Sequence, residues 1–269
     1  MSDLEGVSAV ELAEELGIER DQAARLIAEV RCGGDSGMPL WPDARNALQL
    51  LEEERSTARI VTWVADLDKL LGGGVQLQQL TEFSGAPGIG KTQLAIQLAI
   101  NVQLPHAFHG VGGEAVYIDS EGSFMAERAQ RMCHAAVDHL RKVAAETRDP
   151  LHASALDGFD VDALLSGIHV YRVHNQHELS AAVRSLRAFI GERSAAGAAV
   201  RLVVIDSIAM HFRHGGEHAR RLQALGQLTQ ALTELASEMQ LAVVLINQVG
   251  LELGPQQMLG PADEPRAPR

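Results

Sequence analysis

Gly85-Ala86-Pro87-Gly88-Ile89-Gly90-Lys91-Thr92 is the stretch whose reading decides the rest of the chain. It meets G-x-x-x-x-G-K-[ST] at every position, the pattern of a backbone loop that wraps the phosphates of a nucleoside triphosphate. The glycines let the chain turn tightly and aim successive N–H groups at an anion. Lys91 brings a mobile positive charge to the β and γ phosphates, and the Thr92 hydroxyl is a small hard ligand suited to Mg²⁺. The flanks agree. Val75 to Phe83 reads as an apolar strand entering the loop. Thr92 to Val102 reads as a helix leaving it, with Leu94, Leu98 and Val102 on one face, so the phosphates would rest on that helix's N-terminus. The run from Gly85 through Gln93 is therefore the candidate nucleotide-binding set.

The chain has 269 residues, enough for one large core and a small appendage, and 46% of them are apolar. No apolar run approaches a membrane span, and no secretory signal pattern opens the sequence. Two cysteines, Cys32 and Cys133, stand far apart without metal-type spacing, so disulfides are not expected and a reducing compartment is. The net charge of −12 argues at first against a nucleic-acid partner. The distribution of that charge weakens the objection. Residues 1–59 hold 6 Lys+Arg against 13 Asp+Glu, whereas residues 172–221 hold 8 Arg against 4 acids. The basic stretch is either a solvated helix face or a contact surface.

Along the chain, residues 8–31 read as two short helices around Gly17, with Leu12 and Leu16 giving the first a face and Leu26, Ile27 and Val30 the second. Residues 32–43 read as a linker, followed by a charged helix from Ala44 to Glu54. From Ile60 onward the rhythm is strand, helix, strand. Apolar strands at Ala115–Asp119, Ile168–Val173, Leu202–Asp206 and Leu241–Asn247 alternate with helices. Two helices are marked by spacing: Leu179, Val183, Leu186, Ile190, and Leu222, Leu225, Leu228, Leu232, Leu235. Strands this apolar between helices predict an α/β fold with a mostly parallel sheet sandwiched by helices. The domain reading is 1–31 helical, 32–59 linker with helix, 60–249 core, and 250–269 a Pro-rich tail not expected to fold.

Three strand ends add chemistry to the loop. Leu202-Val203-Val204-Ile205-Asp206 delivers a carboxylate beside the phosphates, where it can hold the Mg²⁺ shell. Tyr117-Ile118-Asp119-Ser120-Glu121 ends a second strand in acids; Glu121 could activate the water that attacks the γ phosphate, or could cap a turn. Ile246-Asn247-Gln248 ends a third in amides, able to sense the γ phosphate or simply to face water.

With these segments in order, the chain resembles a P-loop NTPase of RecA type, a recombinase of the eukaryotic Rad branch, and within it the C-type recombination paralogues. The likeness rests on Leu71-Gly72-Gly73-Gly74-Val75 before the loop and on the loop itself. It continues through Gly112-Gly113-Glu114-Ala115-Val116-Tyr117-Ile118-Asp119-Ser120-Glu121-Gly122-Ser123-Phe124-Met125, Phe212-Arg213-His214 and Asn247-Gln248, and covers residues 8–249. The resemblance implies ATP and Mg²⁺ as cofactors, Thr92 and Asp206 on the metal side, and Glu121 as the catalytic glutamate. Gln248 would couple the γ phosphate to the second DNA loop. The small helices at 8–31 resemble the latter part of the family's N-terminal helical domain. Arg213, Arg220 and Arg221, beside Gly215-Gly216, match the first DNA-binding loop, with a solvated helix start as the bland alternative.

The same resemblance implies sister recombinase paralogues and single-stranded or branched DNA as partners, no membrane, and a nuclear, partly cytoplasmic location. Two functions lead, and Phe212-Arg213-His214 speaks against a third, a RecA-like ATPase unrelated to DNA repair. One is ATP-dependent, DNA-binding recombination repair of double-strand breaks with weak DNA-dependent ATP hydrolysis. The other is an ATP-binding interaction subunit with little turnover or DNA contact of its own. A Phe-x-x-Ala plug of the kind family filaments use is not found in the linker: Phe83-Ser84-Gly85-Ala86 fits the letters but lies in the strand feeding the loop. Because the family's further strands after Asn-Gln find no counterpart here, Val75–Phe83 is expected at a sheet edge.

Overall fold

The protein is described here as a computed structural model covering residues 8–17, 19–20, 22–24, 45–208 and 218–248. It divides into two units, Met1–Ser56 and Thr57–Arg269. In the first, helix α1 (Ala9–Leu16) ends at Gly17, whose φ of 65° lets the chain leave the helix without strain, and residues 22–24 are again helical. The face differs from the predicted one: Ala13 and Ala23 are buried while Leu16 is 56% exposed. Leu26, Ile27, Val30 and the 32–43 linker lie outside the described residues. Helix α2 (Ala47–Ser56) carries the three consecutive glutamates, and none of its residues is buried.

The second unit is built on runs that suit a sheet covered on both faces. The strands are β1 (Arg59–Ile60), β2 (Val75–Gln76), β3 (Leu80–Gly85), β4 (Glu114–Asp119), β5 (Ile168–Arg172), β6 (Val200–Asp206) and β7 (Ala242–Gln248). The last five form one parallel sheet ordered β3-β7-β6-β4-β5. β-Branched runs such as Val203-Val204-Ile205 pack well on a pleated surface, and side chains alternate between its faces. Ala115, Tyr117, Leu202, Val204, Ala242 and Val244 point to one layer. Val116, Ile118, Val203, Ile205, Val243 and Leu245 point to the other.

Helix α4 (Lys91–Asn101) and helix α5 (Ala126–Thr147) cover the first face; α3 (Ala65–Leu70) precedes them in the chain. Two short helices, α6 (Pro150–Ala155) and α7 (Val161–Ser166), lead to β5. Helices α8 (Gln176–Ala195) and α9 (His218–Glu238) cover the second face. The α8 face is the predicted one, with Leu179, Val183, Leu186 and Ile190 all buried. On α9 the face is shorter than the spacing suggests: Leu228, Leu232 and Leu235 are buried, but Leu222 is 56% exposed because it lies a turn and a half before the buried stripe. Asn175 starts α8 by accepting from the Glu178 amide, and Glu178 answers by accepting from the His174 amide.

The predicted strand Val75–Phe83 is two strands. Gln78 takes a positive φ of 65°, which breaks the run. Before it, β2 pairs antiparallel with β1; after it, β3 joins the main sheet beside β7. Among the described residues β3 is an outer strand, as is β5. The turn before β2 needs glycine: at Gly74 φ is 126°, and an added Cβ would overlap the Ile60 carbonyl.

At the start of β4, away from the loop, Glu114 takes a two-pronged contact from Arg193, Nε to Oε2 at 2.8 Å and Nη2 to Oε1 at 2.6 Å. His169 Nε2 lies 2.8 Å from the same Oε2. Burial pushes the Glu114 carboxyl up, but these partners outweigh it and hold it below the usual glutamate value. A carboxylate with a lowered folded pKa stabilises the fold at neutral pH and loses that contribution as pH falls through the lowered value. Melting curves should therefore place the parent above Glu114→Gln at pH 7, with the gap closing below about pH 4. A gap independent of pH would show that the contact is only geometric.

Candidate nucleotide site

The site forms where β3, β7, β6 and β4 end side by side. The loop from β3 into α4 has Gly88 at φ 81° and Gly90 at φ 100°, conformations that suit glycine. Gly90 is the N-cap of α4, and among the described residues no side chain caps that helix start. Its first amide N–H groups are thus left to an anion wrapped by the loop. Lys91 is half-buried, and its ammonium donates to the carbonyls of Gly85 and Ala86, both at 2.8 Å. The charge is held at the loop's mouth by two neutral acceptors. Pro87, Ile89 and Gln93 are exposed around it, Ile89 at 64%. A cleft of about 620 Å³ runs from Gly90 and Lys91 past Gln93 and Gln97 to Met132 and Trp63.

Thr92 and Asp206, 114 positions apart, meet directly: Thr92 Oγ1 donates to Asp206 Oδ2 at 2.8 Å. Asp206 is 2% exposed, and two more hydroxyls reach the same oxygen, Tyr117 at 2.7 Å and Ser123 at 3.3 Å. Burial pushes the Asp206 carboxyl up from its ordinary value, while the hydrogen bonds from Tyr117 and Thr92 pull it back toward the charged form. Tyr117 is fully buried, and burial followed by the neighbouring Asp206 charge pushes its phenol well above the usual range, so it stays a donor. A hydroxyl whose hydrogen points at a carboxylate keeps its lone pairs for a cation. Thr92 and Asp206 therefore fit a hard divalent ion.

Glu121 stands one strand over. Ser207 Oγ donates to its Oε1 at 2.8 Å, and Gln248 Nε2 reaches Oε1 and Oε2 at 3.0 and 2.9 Å. Glu121 and Gln248, read separately from two strand ends, are thus one hydrogen-bonded pair. Asn247 instead donates to Glu82 at 2.9 Å, on β3. Ser120 ties β4 to β6 by donating to the Ser207 carbonyl and accepting from the Ser207 amide, both at 2.7 Å.

The turn that carries Glu121 is organised by Asp119, which is buried and accepts from the amides of Gly122, Ser123 and Phe124 at 2.8, 3.0 and 3.3 Å. Gly122 has φ 74°, and a Cβ there would strike the Arg172 guanidinium. Tyr117, Ser123 and Ser207 carry no sequence motif that marks them as part of the site. The signal for Tyr117 was a phenol inside an otherwise apolar strand, which must find an acceptor when buried. Of the arginines expected to touch DNA, Arg213 lies outside the described residues. Arg220 and Arg221 fall in the first turn of α9, so that part of the stretch is helical rather than loop.

The sequence profile of the Rad51 family matches residues 53–144 and 151–267. The chain is 40% identical over 264 residues to DNA repair protein RAD51 homolog 3 of Cricetulus griseus, an alignment that takes in 96% of this chain and 71% of that protein. It is 35% identical over 214 residues to DNA repair protein RAD51 homolog 3 of Dictyostelium discoideum, covering 79% of this chain and 54% of that protein.

Proposed function

This chain belongs to the Rad51 family, a nucleotide-binding family with the RecA-type fold, and from that premise we propose that it is an ATP-dependent recombination paralogue in homologous-recombination repair of double-strand breaks. The observation that carries the chemistry is the direct bond between Thr92 and Asp206, which brings the phosphate loop and the acid of β6 to one point. The loop from Gly85 to Gln93 would hold ATP, with Lys91 toward the outer phosphates, and Thr92 and Asp206 would hold Mg²⁺, which would neutralise phosphate charge. Glu121 takes the proton of the attacking water, and Gln248, bonded to it, reports the state of that carboxylate to the end of β7.

The partners are sister recombinase paralogues and single-stranded or branched DNA, and the setting is the nucleus with a cytoplasmic pool. The similarity to two proteins named as DNA repair proteins supports the repair role. A second reading, an ATP-binding interaction subunit with little turnover, is favoured by one feature. Both oxygens of Glu121 are engaged by Gln248, and Ser207 adds a third bond, so the base is restrained.

The two readings separate on DNA. Arg213, Arg220 and Arg221 are the proposed phosphate contacts, and arginine suits that role. Each phosphate neutralised on a single strand contributes about −0.7 to the slope of log K against log salt. Titrating single-stranded DNA binding against salt should give the triple-alanine variant weaker binding and a slope shallower by about 2. Equal affinity and slope in both proteins would remove these arginines from the DNA site and favour the interaction-subunit reading.

A further inference from the structure

We propose that Tyr117 is a positioning residue for divalent-cation binding: its hydroxyl locks the Asp206 carboxylate in the one orientation that lets Thr92 face a metal. The inference rests on the reading of Thr92 and Asp206 as the Mg²⁺ side of a nucleotide site. Three hydroxyls converge on a single oxygen, Asp206 Oδ2, from Thr92 at 2.8 Å, Tyr117 at 2.7 Å and Ser123 at 3.3 Å. They come from three elements: the start of α4, the middle of β4 and the turn after β4.

A threonine hydroxyl has one hydrogen. While that hydrogen is given to Asp206 Oδ2, both oxygen lone pairs point elsewhere and are available to a cation. If the carboxylate turns, Thr92 loses its acceptor and its hydrogen is free to point at the metal position. Thr92 cannot itself hold the carboxylate, because its hydroxyl is also to be a ligand and sits at the half-buried start of α4. Tyr117 can. Its ring is fully buried, packs against Phe124 with centroids 4.9 Å apart, and its neighbours in the strand, Val116 and Ile118, are buried on the opposite face. The phenol has no freedom to leave, and its bond to Asp206 is the shortest of the three. Partners that orient a metal ligand from outside the coordination shell are commonly worth 10- to 100-fold in metal affinity.

The test compares the parent chain with Tyr117→Phe, which keeps the ring and removes only the hydroxyl. Binding of a fluorescent ATP analogue is followed while Mg²⁺ is titrated, and again in EDTA. The expected result is that Tyr117→Phe needs about tenfold more Mg²⁺ for half-maximal nucleotide binding. Affinity in EDTA should match the parent, since the loop and Lys91 are untouched. A role limited to packing would instead weaken binding equally with and without Mg²⁺, or leave both unchanged, and either result overturns the proposal. If Tyr117→Phe does not fold, 4-fluorophenylalanine placed at position 117 carries the test, because it fills the space of the hydroxyl but donates no hydrogen to Asp206. The same shift in Mg²⁺ requirement is expected, and its absence overturns the proposal. Failure of the parent itself to bind the nucleotide at any Mg²⁺ concentration would instead bring down the nucleotide reading, and this inference with it.

Discussion

Lys91→Ala is expected to lower ATP affinity by at least about 100-fold while the protein still melts cooperatively near the parent temperature. Lys91 is the only charged residue between Gly85 and Gln93, so without it the phosphates meet backbone N–H groups alone. Hydrogen bonds to charged groups contribute about 1.5–3 kcal/mol each, and every 1.4 kcal/mol is tenfold in affinity. Losing two such contacts removes about 3–6 kcal/mol, which is at least about 100-fold. The fold should tolerate the change. The present partners of the ammonium are the carbonyls of Gly85 and Ala86, both half-buried and at an opening that water can reach. Equilibrium binding of ATP with Mg²⁺, paired with a thermal melt, separates the two effects. Unchanged affinity would mean that ATP is bound without Lys91 and would sink the phosphate-loop reading.

Glu121→Gln is expected to slow ATP hydrolysis by roughly 10²–10⁴ with little change in ATP affinity, the loss typical of a removed general base. The amide has nearly the same shape but cannot take a proton from water. It also disturbs the present network. Gln248 now donates to two carboxylate oxygens, and an amide offers only one acceptor, so part of that contact is lost or reversed. The substitution should consequently loosen the link between the ends of β4 and β7 as well as remove the base. Turnover equal to the parent's would reduce Glu121 to an anchor for Gln248 and Ser207.

The parts of the site that were legible in the sequence are those whose chemistry demands a fixed residue type at a fixed place. The glycines of the loop, Lys91, Thr92 and Asp206 fall in this class, and Thr92 and Asp206 meet as expected although 114 positions separate them. Strand ends were legible too, because unbroken apolar runs must stop where the sheet does. The pairing of Glu121 with Gln248 was harder to see, since it depends on the strand order β7-β6-β4, and no local pattern encodes order.

Tyr117 stayed hidden for a different reason. An aromatic inside an apolar strand reads as core, and it is core; its second role comes from one oxygen at the ring tip. The break at Gln78 was invisible because residues other than glycine seldom take a positive φ, and a glutamine gives no warning of it. On α9, helical spacing identified the right face but could not say how far toward the start of the helix the core extends, so Leu222 was over-counted.

If this chain works as a nucleotide-dependent member of a recombination assembly, affinity capture from cells after induced double-strand breaks will recover that assembly. Tagged parent and Lys91→Ala proteins, expressed at equal levels, are recovered and their partners quantified by mass spectrometry. Other recombinase-type proteins, each with a phosphate loop of its own, are expected to be enriched with the parent and depleted with Lys91→Ala. Recovery of no recombinase-type protein with the parent, under conditions where it is folded and binds ATP, would show that it does not act in such an assembly.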